Sequence, residues 1–193
     1  MGFQILDGKG KGAKAGVGSD NRLLVSSINE TIFQYSAEEG DAYFLGTPLV
    51  TCTTAGENAI FFYSHNDSNP LIVENFLTTA TTASGGAPNM YAVNFYKNPT
   101  AMSVATSSVA LNQNFGSSNT LDGTVQFGAS GSAFTGGTLV ATLYVPIGQQ
   151  NDITANLVLQ KGNSFGISVT PPAGNTSMPV QFGARSIVYE EKY

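Results

Sequence analysis

Short segments of this chain alternate apolar and polar residues, and this pattern favours a fold built from β-strands. In the segment SFGISVT, Phe165, Ile167 and Val169 occupy every second position. A period of two residues places alternate side chains on opposite faces of an extended chain. The same alternation puts Tyr91, Val93 and Phe95 on one face of residues 90–96, and Leu139, Ala141, Leu143 and Val145 on one face of residues 138–145. These segments are predicted to be β-strands with one face in a core.

The first half of the chain is also predicted to be extended. β-Branched and aromatic residues in segments bounded by turn residues favour strands at 22–28 and 31–36, and a hairpin of 48–53 with 58–65. No long window has apolar residues at the three-and-four spacing of an amphipathic helix. Only residues 100–114 give weak support to a short helix.

Glycine-rich segments separate these strands at intervals, as in the loops of a two-sheet protein. We therefore expect an all-β fold, an antiparallel β-sandwich, with the jelly roll as the commonest two-sheet solution of this size. The expected domains are a flexible Gly/Lys-rich N-terminal arm, residues 1–21, and the sandwich, residues 22–193.

The charge content argues against several classes of protein. Charged residues make up 11% of the chain, and the net charge is −5. A general nucleic-acid binder carries a broad basic surface, so we expect no nucleic acid as a partner. The single cysteine, Cys52, excludes a disulfide within the chain. No apolar run reaches the length of a membrane span, and Asp7 and Lys9 interrupt any signal peptide, so neither a membrane nor export is expected.

The N-terminal segment 7–23 crowds glycine and lysine together, a composition that can bind phosphate. A Walker A loop is excluded, because Phe3 and Ile5 stand where its first glycine is required. A dinucleotide loop must open a helix, whereas this segment leads into a predicted strand. No cofactor is therefore expected. Two interpretations remain: a flexible linker, or an arm that becomes ordered on an acidic protein surface.

Catalytic groups are not apparent. In the predicted hairpin, Cys52 lies opposite Phe61, about 13 Å along the ladder from His65, which is too far for a Cys-His pair. Cys52 is then an inert residue in or near the core. No Gly-x-Ser-x-Gly segment lies between a strand and a helix. We expect no enzyme.

Two polar segments have the composition of metal sites but favour turns. Residues 65–70 (HNDSNP) predict a turn held by side-chain bonds to the backbone. Glu38, Glu39 and Asp41 offer the hard oxygen atoms that calcium prefers, but they lack the spacing of an EF-hand. A solvated turn is the better interpretation, and no metal is expected.

Two segments resemble structural proteins of tailed bacteriophages. Residues 7–23, in which Asp7-Gly8 and alternating Gly/Lys precede Asp20-Asn21-Arg22-Leu23, resemble the N-termini of head decoration proteins. Residues 143–180, with Lys161-Gly162 before an alternating strand, resemble a closing hairpin of phage cement proteins of jelly-roll fold.

This resemblance implies a virion protein that binds the outer surface of a phage head and stabilises the shell. Its partners would be the major capsid protein and two further copies of itself in a homotrimer. It would be made in the host cytoplasm and located on the capsid. The residues implied to bind the capsid lie in or next to the arm: Asp7, Lys9, Lys11, Lys14, Asn21 and Arg22.

A second hypothesis is a carbohydrate- or receptor-binding module of a phage tail fibre or similar appendage. Aromatic rings stack on sugars, and amide side chains bond to hydroxyl groups. The candidate rings are Tyr91, Tyr96 and Tyr144. The absence of tryptophan counts against this hypothesis.

Overall fold

The computed structural model describes residues 16–17, 23–24, 32–52, 56–82, 90–171 and 180–190. The chain divides into two compact units, Met1–Thr31 and Ile32–Tyr193. In the first unit, β1 (Gly16–Val17) pairs antiparallel with β2 (Leu23–Leu24). Most of this unit lies outside the described residues, so the predicted boundary between residues 21 and 22 stays a prediction.

The second unit begins with helix α1 (Ile32–Glu39) and continues as antiparallel β-structure. One sheet, called sheet I, has the strand order β10 (Leu111–Asn112), β3 (Ala42–Gly46), β16 (Val180–Glu190), β6 (Leu71–Thr82), β14 (Gln150–Leu159). Strand β4 (Val50–Cys52) also pairs with β16. Sheet I therefore brings together strands from both ends of this unit.

The other large sheet, called sheet II, has the strand order β13 (Thr138–Pro146), β7 (Met90–Lys97), β15 (Ser164–Thr170), β5 (Asn58–His65), β11 (Gly123–Phe127), β9 (Thr106–Ser108). A two-stranded sheet pairs β8 (Ala101–Met102) with β12 (Phe134–Thr135). Eight strands of the two large sheets pair in a nested way: β3 with β16, β6 with β14, β5 with β15, and β7 with β13.

The inner faces of sheets I and II meet in one core. Phe76 of sheet I lies with its ring centroid 5.3 Å from that of Phe95 and 5.1 Å from that of Phe165, both in sheet II. Tyr91 and Phe182 make a second contact between the sheets, at 5.0 Å. The predicted all-β antiparallel sandwich is confirmed, and so is the burial of Tyr91, Val93 and Phe95, although residues 90–96 are buried on more than that one face.

The predicted strand at 31–36 is wrong, because residues 32–39 form α1. Gly40 ends the helix with a φ of 81°, a conformation that glycine adopts without strain. Its amide donates to Ala37 O at 3.2 Å, and the Asp41 amide donates to Ser36 O at 2.7 Å. These two bonds form a Schellman cap. The solvated turn predicted for Glu38, Glu39 and Asp41 is therefore a helix end, and Asp41 is buried.

The predicted hairpin of 48–53 with 58–65 is also wrong. Strand β4 belongs to sheet I, whereas β5 lies inside sheet II between β15 and β11. Residues Asn58–Tyr63 are all buried, as expected of a central strand covered on both faces. Residues 100–114 contain β8, β9 and β10 rather than the weakly supported helix.

The outer face of sheet II is covered in one region. There Ala59, Phe62 and Met102 form a small apolar cluster against which Phe134 packs. A Cβ atom at Gly166 would collide with the Phe134 ring, so glycine lets the ring lie directly on the strand. All of Ser164–Val169 in β15 is buried, although the alternation predicts one polar, solvated face. The Phe134 ring accounts for this at Gly166.

Candidate functional site

The residues predicted to bind the capsid, Asp7, Lys9, Lys11, Lys14, Asn21 and Arg22, lie outside the described residues. Their role stays a prediction. The candidate reactive and ligand-binding residues of the sandwich unit, such as Cys52, His65 and the three tyrosines, all lie within the described residues. They do not gather at one site.

Cys52 and His65 do not form a pair. Cys52 lies in sheet I opposite Val180, and His65 lies in sheet II opposite Gly123. Cys52 is buried, and its burial raises the pKa of the thiol from 9.0 to about 11. The prediction of an inert core cysteine is confirmed in its burial.

The side chain of His65 stabilises a turn and does not pair with a reactive group. Its Nδ1 is 3.0 Å from the Tyr63 hydroxyl, and its Nε2 is 2.7 Å from the carbonyl oxygen of Asn69. The same loop is also closed by Asp67, whose Oδ1 accepts a hydrogen bond from the Asn69 amide at 2.8 Å. This bond is the main cause that lowers the pKa of Asp67. The predicted turn with side-chain bonds to the backbone is therefore confirmed.

The three tyrosines proposed for sugar stacking differ in exposure. Tyr91 is fully buried in the core, so its assignment as an exposed ring is wrong. Tyr144 is 68% exposed on β13. Tyr96 is partly exposed and donates its hydroxyl to Glu57 Oε1 at 2.8 Å. It belongs to the polar network described next.

A polar network lies on the outer face of sheet II. Thr142, Asn94 and Ser168 are register partners across β13, β7 and β15, so they form one row. Thr142 donates to Asn94 Oδ1 at 2.8 Å, and Asn94 Nδ2 donates to Ser168 Oγ at 3.3 Å. Asn94 and Ser168 are buried, and each is satisfied by its neighbours. The row ends at the carboxylate of Glu57.

Glu57 stands just before β5 and receives three donors on one oxygen. Oε1 accepts from Asn94 Nδ2 at 3.0 Å, from the Tyr96 hydroxyl at 2.8 Å, and from the Ser168 hydroxyl. Three hydrogen bonds fix the position of the carboxylate and neutralise part of its charge. Within the described residues no hydrogen bond reaches Oε2, and no cationic side chain pairs with Glu57.

The network forms one wall of a cavity of about 130 Å³, called the Glu57 pocket. It is lined by Glu57, Ala59, Tyr96, Ala133, Phe134, Gly136 and Ser168. The rings of Tyr96 and Phe134 lie 5.2 Å apart with planes tilted by 55°. Burial, and then the bond to Glu57 and the charge of that carboxylate, raise the pKa of Tyr96 to about 12. Tyr96 therefore stays a donor through the neutral range.

In the predicted hairpin of 48–53 with 58–65, Glu57 falls in the connection between the two strands, and the local sequence indicates no functional role for it. A signal was present in the outward positions of two alternating strands, where Asn94 and Ser168 are polar. Because both lie on the face opposite the core, a polar row was to be expected there once the strands were paired. The pairing itself was not predictable from local sequence.

A second feature is an open edge of the sandwich, where β13 of sheet II and β14 of sheet I meet. Among the described strands, β13 pairs with β7 alone and β14 with β6 alone. Exposed apolar side chains follow both strands: Leu139, Val140, Leu157 and Val158. Between them opens a cavity of about 280 Å³ that reaches the core rings of Phe76, Phe95 and Phe165. This surface is called the β13–β14 edge.

The predicted inward face of β13 is only partly correct. Val145 is buried and Leu143 packs against the core, but Leu139 and Ala141 are exposed. The register shifts between Leu139 and Ala141, so the alternation of faces changes there. The outer half of β13 therefore presents its apolar side chains away from the core.

The site contains no recognisable metal centre in the part of the chain that is described, since His, Cys, Asp and Glu side chains do not gather there in threes. Within the same residues, no helix has the length and apolar character needed to cross a lipid bilayer. The sequence matches no known protein-family model, and no curated protein shows significant similarity to it.

Proposed function

We propose that this chain is a structural protein of a phage particle, a decoration or cement protein that oligomerises, as a homotrimer, on the outer surface of the head. The observation that carries the proposal is the β13–β14 edge. An edge strand with exposed apolar residues is a template for another chain. Assembly would cover it.

The sequence of β13 strengthens this reasoning. Soluble proteins protect edge strands with charged residues, proline or bulges. The nine residues of β13 carry no charge, and its proline stands at the last position. The bulge near Val140 is the one protective feature, yet Leu139 and Val140 are both about half exposed. The floor of the neighbouring cavity is aromatic core, which costs free energy while it faces water.

We further propose that the sandwich is a jelly roll. The orders β3-β16-β6-β14 and β5-β15-β7-β13 place nested strand pairs in two facing sheets. This order results when one long hairpin of four strand pairs rolls over on itself. Jelly rolls are common in viral capsid proteins. The fold is thus consistent with the resemblance of residues 7–23 and 143–180 to phage head proteins.

The first test of assembly is the mass of the protein in solution. Sedimentation velocity of the wild type at micromolar concentration is expected to give a trimer. Val140→Lys and Val158→Lys place charges on the β13–β14 edge and should give folded monomers. Val109→Lys is the matched control, because Val109 is 72% exposed on a loop outside this edge. A monomeric wild type would refute assembly through the edge.

The second test concerns the capsid. Purified heads lacking the protein should bind the wild type and become more resistant to heat. Deletion of residues 2–21 should abolish binding while the circular dichroism of the sandwich persists. Unchanged binding by the deletion variant would refute the role of Lys9, Lys11 and Lys14.

The carbohydrate-binding module remains the second candidate because Tyr144 is largely exposed. The structure removes part of the support that the sequence offered for this function, since Tyr91 is buried and the Tyr96 hydroxyl donates a hydrogen bond to Glu57. Glycan-array binding that is lost in Tyr144→Ala, with assembly intact, would favour this function over the first.

A further inference from the structure

We propose that the Glu57 pocket binds the side-chain ammonium group of a lysine, and that residues 8–14 of a second copy of this chain supply it. The first part stands on the pocket alone. The second rests on the proposed function, because it requires copies to assemble.

The pocket has the chemistry of a cation receptor. Oε1 of Glu57 is occupied by donors from Asn94, Tyr96 and Ser168, so the carboxylate cannot rotate freely. Oε2 is left to accept from a ligand. A fixed carboxylate loses little entropy on binding, which favours a charge-assisted hydrogen bond to an ammonium group.

The walls suit an alkyl chain that ends in a positive charge. Ala59, Ala133 and Phe134 offer apolar surface beside the carboxylate. The methylene groups of a lysine lie along such surface while the charged end reaches a polar group. The ring of Tyr96 stands at the same pocket, and a cation near an aromatic face gains a further attraction. A volume of about 130 Å³ accepts the end of one side chain rather than a folded element.

Charge complementarity points to residues 8–14 as the source. They contain Lys9, Lys11 and Lys14 and no acidic residue. Glycine flanks Lys9 and Lys11 on both sides, so neither has a bulky neighbour that would keep its side chain out of a narrow pocket. Each contact is weak, but a closed ring of copies would use several at once, which raises the combined strength.

The binding test uses two probes: n-butylammonium, and a blocked GKGKG peptide that reproduces residues 8–12. Titration followed by NMR should shift the amide signals of Ala133 and Gly136. Glu57→Gln keeps the size and the acceptor oxygen but loses the charge, and should weaken both probes about tenfold or more. Glu74→Gln removes the same charge outside the pocket and should leave binding unchanged.

Two measurements keep the test independent of how any variant folds. A GKGKG peptide with acetylated lysines should not bind the wild type, and added salt should weaken the unmodified peptide. Equal binding of the acetylated peptide, or no binding of either probe, overturns the pocket as an ammonium site. The assembly tests on Val140→Lys are unaffected by that failure, so the two proposals fail separately.

The source is tested by the triple variant Lys9→Gln, Lys11→Gln, Lys14→Gln. If a second copy supplies the ammonium group, this variant and Glu57→Gln should weaken self-association by the same factor, and combining them should add nothing further. Additive effects, or wild-type association in the triple variant, overturn the assignment to residues 8–14.

Discussion

Replacing Phe76 with alanine would measure how firmly the two sheets are held together. Its ring is buried and contacts Phe95 and Phe165 across the sheets. Truncation of a buried phenylalanine costs about 3–5 kcal/mol. Phe76 also lines the cavity of the β13–β14 edge, so the new space joins one that is open to water. We therefore expect a loss near the lower end, about 3 kcal/mol.

Phe182→Ala provides the comparison. This ring is equally buried and contacts Tyr91 across the sheets, but it does not line that cavity. Its truncation leaves a closed void, for which the cost rises with the volume that stays empty. The expected loss is about 4–5 kcal/mol. Phe44→Ala, on a ring that is 40% exposed, should cost less than about 1 kcal/mol.

Urea unfolding followed by circular dichroism and tyrosine fluorescence would give these differences, at one protein concentration because association adds to stability. The urea concentration at the midpoint of unfolding should change, while the slope of the unfolding free energy against urea concentration should stay constant. If Phe76→Ala and Phe44→Ala were equally mild, the two sheets would not be joined through Phe76. If Phe76→Ala cost more than Phe182→Ala, the cavity at the edge would not be open to water.

Three further results are expected. Tyr63→Phe leaves His65 without the hydroxyl at Nδ1 and should cost about 1–3 kcal/mol in urea unfolding, whereas loss of an exposed tyrosine hydroxyl should cost almost nothing. Cys52 should react with a thiol reagent only as fast as the protein unfolds, which labelling at native pH would check. Because the pKa of the thiol is raised in the folded state, the stability that Cys52 contributes is fully present below pH 9 and is lost as the pH rises through about 11. Alkaline unfolding of the wild type compared with Cys52→Ala would check this loss. Gly128→Ala should lower the stability by about 1–3 kcal/mol in thermal unfolding, because the new Cβ would collide with the backbone carbonyl of Ala59. A variant as stable as the wild type would show that the chain after β11 can move away from β5 at this point.

The fold class and several core faces could be predicted from sequence because they depend on local alternation. Tyr91, Val93 and Phe95 alternate with less apolar residues, and all three are buried. The pattern of β15 predicted the strand correctly but not the burial of Gly166 and Ser168. Gly166 lies under the ring of Phe134, and Ser168 bonds to Asn94 and Glu57. These partners all lie outside β15, so alternation within β15 carries no information about the burial.

The errors have equally physical causes. Helix α1 spans eight residues, which is too short for a three-and-four pattern to repeat, and its end depends on two backbone bonds at Gly40. The failed hairpin paired strands that are neighbours in sequence, whereas β4 and β5 lie in different sheets. The Glu57 pocket joins residues of β5, β7, β12 and β15, so it exists only after distant strands have paired.

The nested order of strand pairs has a consequence for biosynthesis. β3 and its partner β16 are separated by more than a hundred residues, so sheet I cannot close until the ribosome has made β16. Until then β3 and β6 lack the strand that lies between them. Non-local pairing of this kind folds slowly and exposes strand edges meanwhile. We therefore expect the nascent chain to expose unpaired strand edges until β16 has been made, and chaperones that shield those edges should raise the yield of folded protein.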